Sequence, residues 1–443
     1  MNQSINIFWF RRDLRLEDNC GLFHALTSDT EINSTQVKKV LPIFIFDKEI
    51  LEKLPNDDAR VAFIHQQLEK IHHQLKEKGS GLSVYHGNPI TIFQELTKNY
   101  HIDTVFTNHD YEPYATQRDQ EIQNYLASKN IEFKTYKDQV IFEKSEIVKQ
   151  DQTPYKVYTP YSKKWLEVFA LNGLEFYPSE EYLQNFIKVD NIHFLSLEDI
   201  GFFESSIKVE NYTVNSQFIE NYEATRNFPA QNSTSKLGSH LRFGTVSIRK
   251  IVFGANKNSN ITFLKELIWR EFFMQILWHF PHTVTQSFKP QYDNIQWRNN
   301  KEEFALWCKG KTGYPLVDAG MRELNATGFM HNRVRMLVGS FLCKHLLIDW
   351  RWGEAYFAEK LHDFELSSNV GNWQWVAGCG VDAAPYFRIF NPTTQIQKFD
   401  KNLEYVKKWV LDFQELTYPT PIVEHKFARE RCLKTYKDAL KEF

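Results

Sequence analysis

Short apolar runs that alternate with helical stretches occupy the first 130 residues, and this alternation constrains the fold more than any other feature. The apolar runs lie at 5–10, 40–46, 82–87 and 104–108. Helical patterns accompany them, as at 60–78 and 114–129. Buried strands that alternate with helices form parallel sheets, because each crossover helix covers one face of the sheet. The sequence therefore predicts an N-terminal α/β domain with a parallel, Rossmann-like sheet.

The chain length and a change of pattern along the chain predict three segments. A chain of 443 residues is too long for a single core. The residues from 137 onward have weak periodicity, and Pro154, Pro160 and Pro178 interrupt it. The pattern becomes helical from Gln217. We predict an α/β domain at 1–136, an interdomain connector at 137–205 and an all-α domain at 206–443.

Several classes of site and location are excluded by what the sequence lacks. No G-x-G-x-x-G follows the first apolar run, and no P-loop motif occurs anywhere. The five cysteines have no metal-like spacing, which predicts no metal site and favours a reducing compartment. No leader precedes Ile5, and no run approaches the roughly 18 apolar residues of a membrane span. We expect a cytoplasmic protein without a signal peptide or membrane anchor.

Charge is segregated along the chain although the net charge is only −2. Residues 226–270 contain eight Lys or Arg and one acid, whereas residues 179–223 contain nine acids and two Lys. Such segregation allows a basic face on a nearly neutral protein, and a basic face is typical of binding to phosphate backbones. An ordinary solvated surface is the alternative interpretation.

The residues that suggest chemistry are concentrated at 349–391. Asp363 and Glu365 lie two positions apart, Asn369 follows, and Trp373 begins a Trp-Gln-Trp segment bounded by glycine. Carboxylates accept hydrogen bonds from cofactor hydroxyls, and an asparagine amide can address the N5 edge of a reduced flavin. Each of these residues by itself also fits a capped helix with core tryptophans.

Longer motifs occur within residues 349–391 and upstream of them. They are WREFF, KTGYPLVDAGMREL, GFMHNRVRM, GNWQW and DAAPYFRIFNP. With them the sequence resembles the photolyase/cryptochrome flavoprotein family, and most closely its class I cyclobutane-dimer photolyases. The resemblance covers Ile7 to about residue 400. It implies FAD as cofactor, damaged DNA as partner, and light-dependent repair of cyclobutane pyrimidine dimers by electron transfer from excited reduced FAD to a flipped-out lesion. A cryptochrome-type blue-light photoreceptor that binds FAD without repair is the alternative, and we expect a monomer.

The resemblance also implies the FAD contacts. Residues 234–238 are rich in hydroxyl groups, contain a lysine and lead into the predicted N-terminus of a helix. Such a segment can bind a diphosphate, because side-chain hydroxyls and free N-terminal amides converge on an anion. Gly238 stands where many relatives have serine. The implied contacts are Tyr222, Thr234, Ser235, Lys236, Leu237, Gly238, Arg270, Arg335, Asp363, Phe364, Glu365 and Asn369.

A second set of residues is implied to contact the lesion or the DNA. Relatives that repair the (6-4) photoproduct have a pair of histidines near 332–336, whereas this chain has His331 and no histidine at 332, 335 or 336. This difference favours the cyclobutane dimer as substrate. The implied contacts are Arg226, Glu266, Trp269, Asn332, Arg333, Met336, Trp375 and Arg388.

Three tryptophans match the electron-transfer series of the family, namely Trp373, Trp350 and Trp297. Core packing is the alternative role for each of them. The N-terminal words RRDLR and DYEPYATQRD are similar to the antenna domain of the family. Folate-binding members have an Asn-Glu pair where this chain has Tyr114 and Ala115, so a folate antenna, a deazaflavin antenna and no second chromophore all stay open.

Overall fold

The computed structural model describes residues 4–28, 38–188, 192 and 194–441. The chain forms two compact units. Unit 1 contains residues 1–143, 169–212 and 237–254, and unit 2 contains residues 144–168, 213–236 and 255–443. The domain limits given above stay predictions.

Unit 1 is built on a parallel five-stranded sheet in the order β3-β2-β1-β4-β5. The predicted α/β fold with a parallel sheet is confirmed. Four strands coincide with the predicted apolar runs, whereas the fifth was not predicted, because it is a half-exposed edge strand with no apolar run. The strands are β1 (Ile5–Phe10), β2 (Val40–Asp47), β3 (Ser83–Gly87), β4 (Ile102–Asn108) and β5 (Glu132–Tyr136).

Helices cover both faces of this sheet. Alternate side chains of β1 enter two different cores, Phe8 and Phe10 on one face and Ile7 and Trp9 on the other, as the period of two in a strand requires. The helices of the first 130 residues are α1 (Cys20–Thr27), α2 (Lys48–Leu51), α3 (Ala59–Lys76), α4 (Pro89–Asn99) and α5 (Pro113–Ala127).

Polar side chains of unit 1 form a hydrogen-bonded network at the carboxyl ends of β1 and β4, where the strand order reverses. The Asp13 carboxylate accepts hydrogen bonds from Asn108 Nδ2 (2.6 Å) and Asn19 Nδ2 (3.1 Å). Arg15 donates to Asp138 at 2.7 Å, and the guanidinium groups of Arg15 and Arg249 hold the pKa of Asp138 down to about 2 against the effect of burial. Doubly wound sheets place ligands in the crevice at this point, but here it contains the protein's own buried network.

Unit 2 is mostly helical, and its main core is centred on the buried residues Trp307, Trp350 and Trp373. The remaining helices of the chain are α6 (Tyr158–Asn172), α7 (Ser216–Thr225), α8 (Gly238–Arg242), α9 (Ile248–Asn256), α10 (Thr262–His279), α11 (Lys301–Cys308), α12 (Pro315–Thr327), α13 (Asn332–Ser340), α14 (Trp350–Lys360), α15 (Leu366–Ala377), α16 (Pro392–Phe399), α17 (Glu404–Trp409) and α18 (His425–Lys441). One turn of π-helix, Phe341–His345, extends α13.

Two glycines allow the helices around α15 to pack closely. A Cβ at Gly353 of α14 would lie 2.1 Å from Trp373 Cη2, and a Cβ at Gly371 of α15 would lie 2.2 Å from Phe273 Cδ1 of α10. Any side chain at either position would separate these helices. No helix in the described ranges has both the length and the hydropathy that crossing a bilayer requires.

Candidate functional site

Unit 2 contains an open cavity of about 610 Å³, solvent at its mouth included, beside α13, α14 and α15. Nine of the residues predicted from the sequence line it, namely Asn332, Arg335, Met336, Asp363, Phe364, Glu365, Asn369, Trp373 and Trp375. The sequence did not predict the other lining residues, namely Gly339, Phe357, Leu361, Ser368, Asn372 and Val376.

Helix α13 presents one face to the cavity. The side chain of His331 caps the helix, because its Nδ1 accepts from the backbone N–H of Arg333 at 3.1 Å. Asn332, Arg335 and Met336 then follow at the spacing of one helical face. All three line the cavity, and all three are among the contacts that the resemblance implied.

Two arginine–carboxylate pairs hold the predicted acids in place. Arg335 donates to both oxygens of Asp363, at 3.2 and 2.9 Å, and its Nε donates to the carbonyl of Met330 at 2.7 Å. Arg270 of α10 pairs with Glu365 at 3.1 Å. Glu365 is only 6% exposed. Two-point contacts of this kind fix the carboxylates in position, so the acids line the cavity as paired groups.

Asn369 is buried in the first turn of α15. Its Nδ2 donates to the carboxylate Oε1 of Glu354 at 2.9 Å and to the backbone carbonyl of Glu354 at 3.0 Å. Burial raises the pKa of Glu354, and the hydrogen bond from Asn369 lowers it by less. Glu354 was not predicted from the sequence, because it lies on another helix.

The three tryptophans of the predicted series occupy different surroundings. Trp373 is buried and contacts Phe357 (ring centroids 4.9 Å apart) and Trp307 (6.2 Å). Trp350 is buried at the start of α14, and Trp297 lies against Tyr436 at 6.0 Å. Trp307 was not predicted, although it shortly precedes the KTGYPLVDAGMREL motif in the sequence.

Basic side chains gather on unit 2 at residues predicted to contact DNA. Arg226 forms an ion pair with Glu266 of α10 and lies 5.3 Å from the ring of Tyr222. Arg333 lies over the ring of Phe399 at 4.5 Å, and burial followed by the charges of Arg226 and Arg388 lowers its pKa. Guanidinium groups that repel one another in this way favour an anion nearby.

Trp269 of α10 is stacked on a residue that the sequence did not single out. The ring of Tyr158 lies parallel to the indole at 3.7 Å and 7°. The phenol of Tyr158 donates to the carbonyl of Lys265 at 2.8 Å, and its backbone N–H donates to Asp382. Tyr158 is buried and lies in the YKVYTPYSKKW segment, which was interpreted as connector without chemistry.

The predicted diphosphate segment is divided between the units, and none of its residues lines the cavity. Tyr222, Thr234, Ser235 and Lys236 are half-buried in unit 2, and Lys236 Nζ lies 3.2 Å from the ring centre of Phe329. In unit 1, Leu237 is buried and the short helix α8 begins at Gly238, as predicted.

Arg388 is exposed, and its backbone carbonyl accepts from the buried ammonium of Lys344 at 2.8 Å. Burial lowers the pKa of Lys344 to about 8. All five cysteines are free thiols. Within the described ranges, no group of three or more His, Cys, Asp or Glu is arranged to hold a metal ion.

Comparison with known proteins identifies the family. A family model described as DNA photolyase matches residues 6–180, and one described as the FAD binding domain of DNA photolyase matches residues 263–417. The deoxyribodipyrimidine photo-lyase of Escherichia coli (strain K12) is 33% identical, with 99% of each chain covered. The enzyme of the same name from Agrobacterium fabrum is 34% identical, with 97% of each chain covered. The chain belongs to the DNA photolyase family, which confirms the resemblance seen in the motifs.

Solved structures show the same fold. A bacterial class III photolyase from Agrobacterium tumefaciens has a TM-score of 0.86 and 32% identity, covering 100% of this chain and 98% of its own. An archaeal photolyase from Sulfolobus tokodaii, solved with two FAD molecules, has a TM-score of 0.83 and 32% identity, covering 98% and 100%. A cryptochrome from Synechocystis shares the fold at 24% identity and a TM-score of 0.84, covering 98% and 99%.

The residues around the cavity fit FAD. Aromatic and aliphatic side chains such as Trp373, Phe357 and Val376 offer a flat apolar wall, and Asn369 and the Arg335–Asp363 pair offer polar edges. A fused heteroaromatic ring with hydrogen-bonding groups on its edges requires this combination.

Proposed function

We propose that this protein is a deoxyribodipyrimidine photo-lyase that repairs cyclobutane pyrimidine dimers in DNA, with reduced FAD in the cavity beside α15. The observation that carries the proposal is the meeting of Asn369, the Arg335–Asp363 pair, Trp373 and Trp375 in that cavity. Photo-lyases from several bacteria match this chain over almost its whole length.

We assign the isoalloxazine ring to the cavity lined by Arg335, Asp363, Phe364, Glu365 and Asn369. Arg270 acts on this site through its ion pair with Glu365. We assign the diphosphate and adenosine of FAD to a second group of contact residues, namely Tyr222, Thr234, Ser235, Lys236, Leu237 and Gly238.

Bound reduced FAD supplies the electron that light transfers to the dimer. The protein provides binding, orientation and exclusion of water. The arginine–carboxylate pairs hold the cavity wall in one geometry, so no reorganisation is needed when charge moves. The buried rings of Trp373 and Phe357 keep water from the inner end of the cavity.

We assign the lesion to the mouth of the cavity. Asn332, Met336 and Trp375 line the cavity, and Met336 and Trp375 offer an apolar edge and a flat ring to two fused pyrimidines. Glu266, which is paired with Arg226 in the free protein, would accept hydrogen bonds from the edge of a flipped base. Trp269, stacked on Tyr158, would pack against the lesion. Base-flipping enzymes, photolyases among them, unstack damaged bases at lower cost than intact ones.

We assign the DNA backbone to Arg226, Arg333 and Arg388. Burial, followed by the charges of Arg226 and Arg388, lowers the pKa of Arg333, and a bound phosphate would offset the repulsion among these guanidinium groups. Contacts with phosphates position DNA without reading its sequence, which suits an enzyme that acts on a lesion.

We assign Trp373, Trp350 and Trp297 to electron transfer between the cofactor and the surface. Trp373 lies in the cavity wall, where an indole can donate an electron to a photoexcited oxidised cofactor. An external thiol could then restore the indole, and the cofactor would be kept reduced.

The finer assignments are also proposals. We assign residues 1–136 to an antenna-type domain, 137–205 to a connector and 206–443 to the FAD-binding domain. We propose a monomer in the cytoplasm. The crevice at β1 and β4 contains the network of Asp13 and Asn108, so we place a folate or deazaflavin antenna, if one binds, outside that crevice. Extraction of the purified protein and chromatography of the released chromophores would identify it.

The decisive experiment is a repair assay with purified protein. Oligonucleotides that contain a cyclobutane thymine dimer or a (6-4) photoproduct are illuminated with blue light, and the restored bases are quantified, with dark samples as controls. We expect light-dependent loss of the cyclobutane dimer alone. A protein that contains FAD and repairs neither lesion would support the photoreceptor alternative, and a colourless protein that still binds DNA would refute both.

A further inference from the structure

A guanidinium group lies against the indole of Trp350, the middle residue of the proposed electron-transfer series. The central carbon of the Arg351 guanidinium is 4.7 Å from the centre of the Trp350 ring. Trp350 is buried, and Arg351 is half-buried. The positive charge therefore acts on a side chain that water hardly reaches, where screening is weaker than in bulk solvent.

Four hydrogen bonds hold the guanidinium of Arg351 in this position. Its Nε donates to the backbone carbonyl of Thr285 at 2.7 Å, and its Nη2 donates to Oδ1 of Asp293 at 2.7 Å. Its Nη1 donates to the two carboxylate oxygens of Asp349, at 3.2 and 3.1 Å. Charge-assisted contacts on all three nitrogens leave the group little freedom to move away when the charge on the indole changes.

The indole N–H of Trp350 is a buried donor without an acceptor in the described part of the chain. Buried donors normally have a partner, so this exception requires an explanation. Removal of one electron from an indole gives a radical cation, which releases its N–H proton only to an acceptor or to water. At Trp350 the proton stays in place, so the return of one electron is sufficient to restore the residue.

The surroundings of Trp350 oppose the positive charge that oxidation creates. The negative face of a neutral indole attracts a guanidinium, whereas the radical cation repels it. Both effects raise the free energy needed to remove an electron, although the paired carboxylates of Asp293 and Asp349 offset part of the charge of Arg351. Trp297 is half-buried, so water can stabilise a positive charge there.

Taking the proposed electron-transfer series as given, we propose that Arg351 raises the oxidation potential of Trp350, so that this tryptophan passes the positive charge to Trp297 and does not retain it. One electron moves at each step. Trp373 gives one to the photoexcited cofactor and regains one from Trp350, which regains one from Trp297. An external thiol then returns one electron to Trp297. Arg351 is a positioning residue that acts through the indole of Trp350.

The test is flash photolysis of the FAD-loaded protein in a Trp297→Phe background, called the parent below. In the parent the positive charge cannot move beyond Trp350, and it returns to the cofactor by way of Trp373. The lifetime of the indole radical cation, followed by its visible absorbance, therefore reports the difference in oxidation potential between Trp350 and Trp373. Arg351→Gln should lengthen this lifetime about tenfold, which corresponds to about 59 mV for one electron.

A second variant of the same ion pair separates electrostatics from structure. Asp293→Asn breaks the pair but leaves the guanidinium less neutralised, so it should shorten the lifetime about threefold. Loss of the ion pair as a structural contact would instead change both variants in the same direction. Lys360→Gln is the matched control, because it removes an equal charge from the same helix about 15 Å from Trp350 and should leave the lifetime unchanged.

The outcomes distinguish this role from the proposed function. Equal lifetimes for the parent and Arg351→Gln would overturn the role of Arg351, and so would changes of the same sign in Arg351→Gln and Asp293→Asn. If Arg351→Gln does not fold, an unchanged or longer lifetime in Asp293→Asn would overturn it. A parent that binds FAD but forms no indole radical would refute the electron-transfer series as well. Repair by pre-reduced protein depends on none of these results and tests the proposed function separately.

Discussion

Adding one methyl group at Gly353 should disrupt the cavity wall. An ideal Cβ there lies 2.1 Å from Trp373 Cη2, 2.4 Å from Trp373 Cζ3 and 2.6 Å from Leu342 Cδ2, whereas ordinary contact begins at 3.4 Å. The indole would have to move by more than an ångström within a core that includes Phe357 and Trp307. Overpacking of such a core costs about 1–3 kcal/mol, and the severity of this overlap places the cost at or above the upper end.

The gain from helix propensity is smaller. Replacing glycine by alanine within a helix contributes about 0.5–1 kcal/mol. We therefore expect Gly353→Ala to destabilise unit 2 by about 2 kcal/mol, or about 4–8 °C in melting temperature for a unit of this size. Because Trp373 lines the cavity, we also expect slower photoreduction of bound oxidised FAD.

The matched control is Gly254→Ala. Gly254 lies in α9, and a Cβ there would meet nothing within 4 Å, so the substitution should be neutral or slightly stabilising. Thermal melts followed by tryptophan fluorescence, together with photoreduction rates, compare the two variants. An unchanged or higher melting temperature for Gly353→Ala, with normal photoreduction, would refute the packing argument.

Three further outcomes are expected. Trp373→Phe should abolish photoreduction of oxidised FAD yet leave repair by pre-reduced protein largely intact. Trp278 is half-buried, and Trp278→Phe is the control that should change neither activity. Loss of repair by the pre-reduced Trp373→Phe variant would contradict the electron-transfer role. Arg388→Gln should weaken binding to damaged DNA and reduce the slope of log K against log salt by about 1, measured by fluorescence anisotropy, whereas an unchanged slope would mean that Arg388 touches no phosphate. Burial, followed by the charges of Arg335 and Lys236, lowers the pKa of His331 from 6.5 to about 4, so the unfolded state binds the proton first. The neutral His331 side chain contributes about 3 kcal/mol to the free energy of unfolding above pH 6.5, and this contribution is lost as the pH falls to 4. His331→Asn retains a capping residue, so it should flatten the dependence of stability on pH between these two values. Parallel curves for the two proteins would contradict this.

Local periodicity predicted the buried strands, and the motifs predicted site residues that one helix brings together. Asn332, Arg335 and Met336 share a helical face and line the same cavity, and four of the five strands coincide with apolar runs. The edge strand β5 escaped prediction because only one face of a half-exposed strand carries apolar side chains, which leaves too weak a pattern.

Contacts between distant elements could not be predicted. Glu354 with Asn369 and Trp307 with Trp373 join residues on different helices, and their pairing depends on how closely those helices pack. A single sequence contains no periodic signal for such packing. The motif resemblance predicted nine residues that line the cavity, while the ion pairs and their geometry required the coordinates.

The stacking of Tyr158 on Trp269 has a consequence for molecular recognition. Because the phenol ring occupies one face of the indole, a base that stacks on Trp269 under the assignment proposed above has to do so from another side. The hydrogen bonds of Tyr158 to Lys265 and Asp382 immobilise the support during folding. The side chains of Tyr158 and Trp269 are therefore already ordered in the free protein, so less conformational entropy is lost when a ligand binds against them.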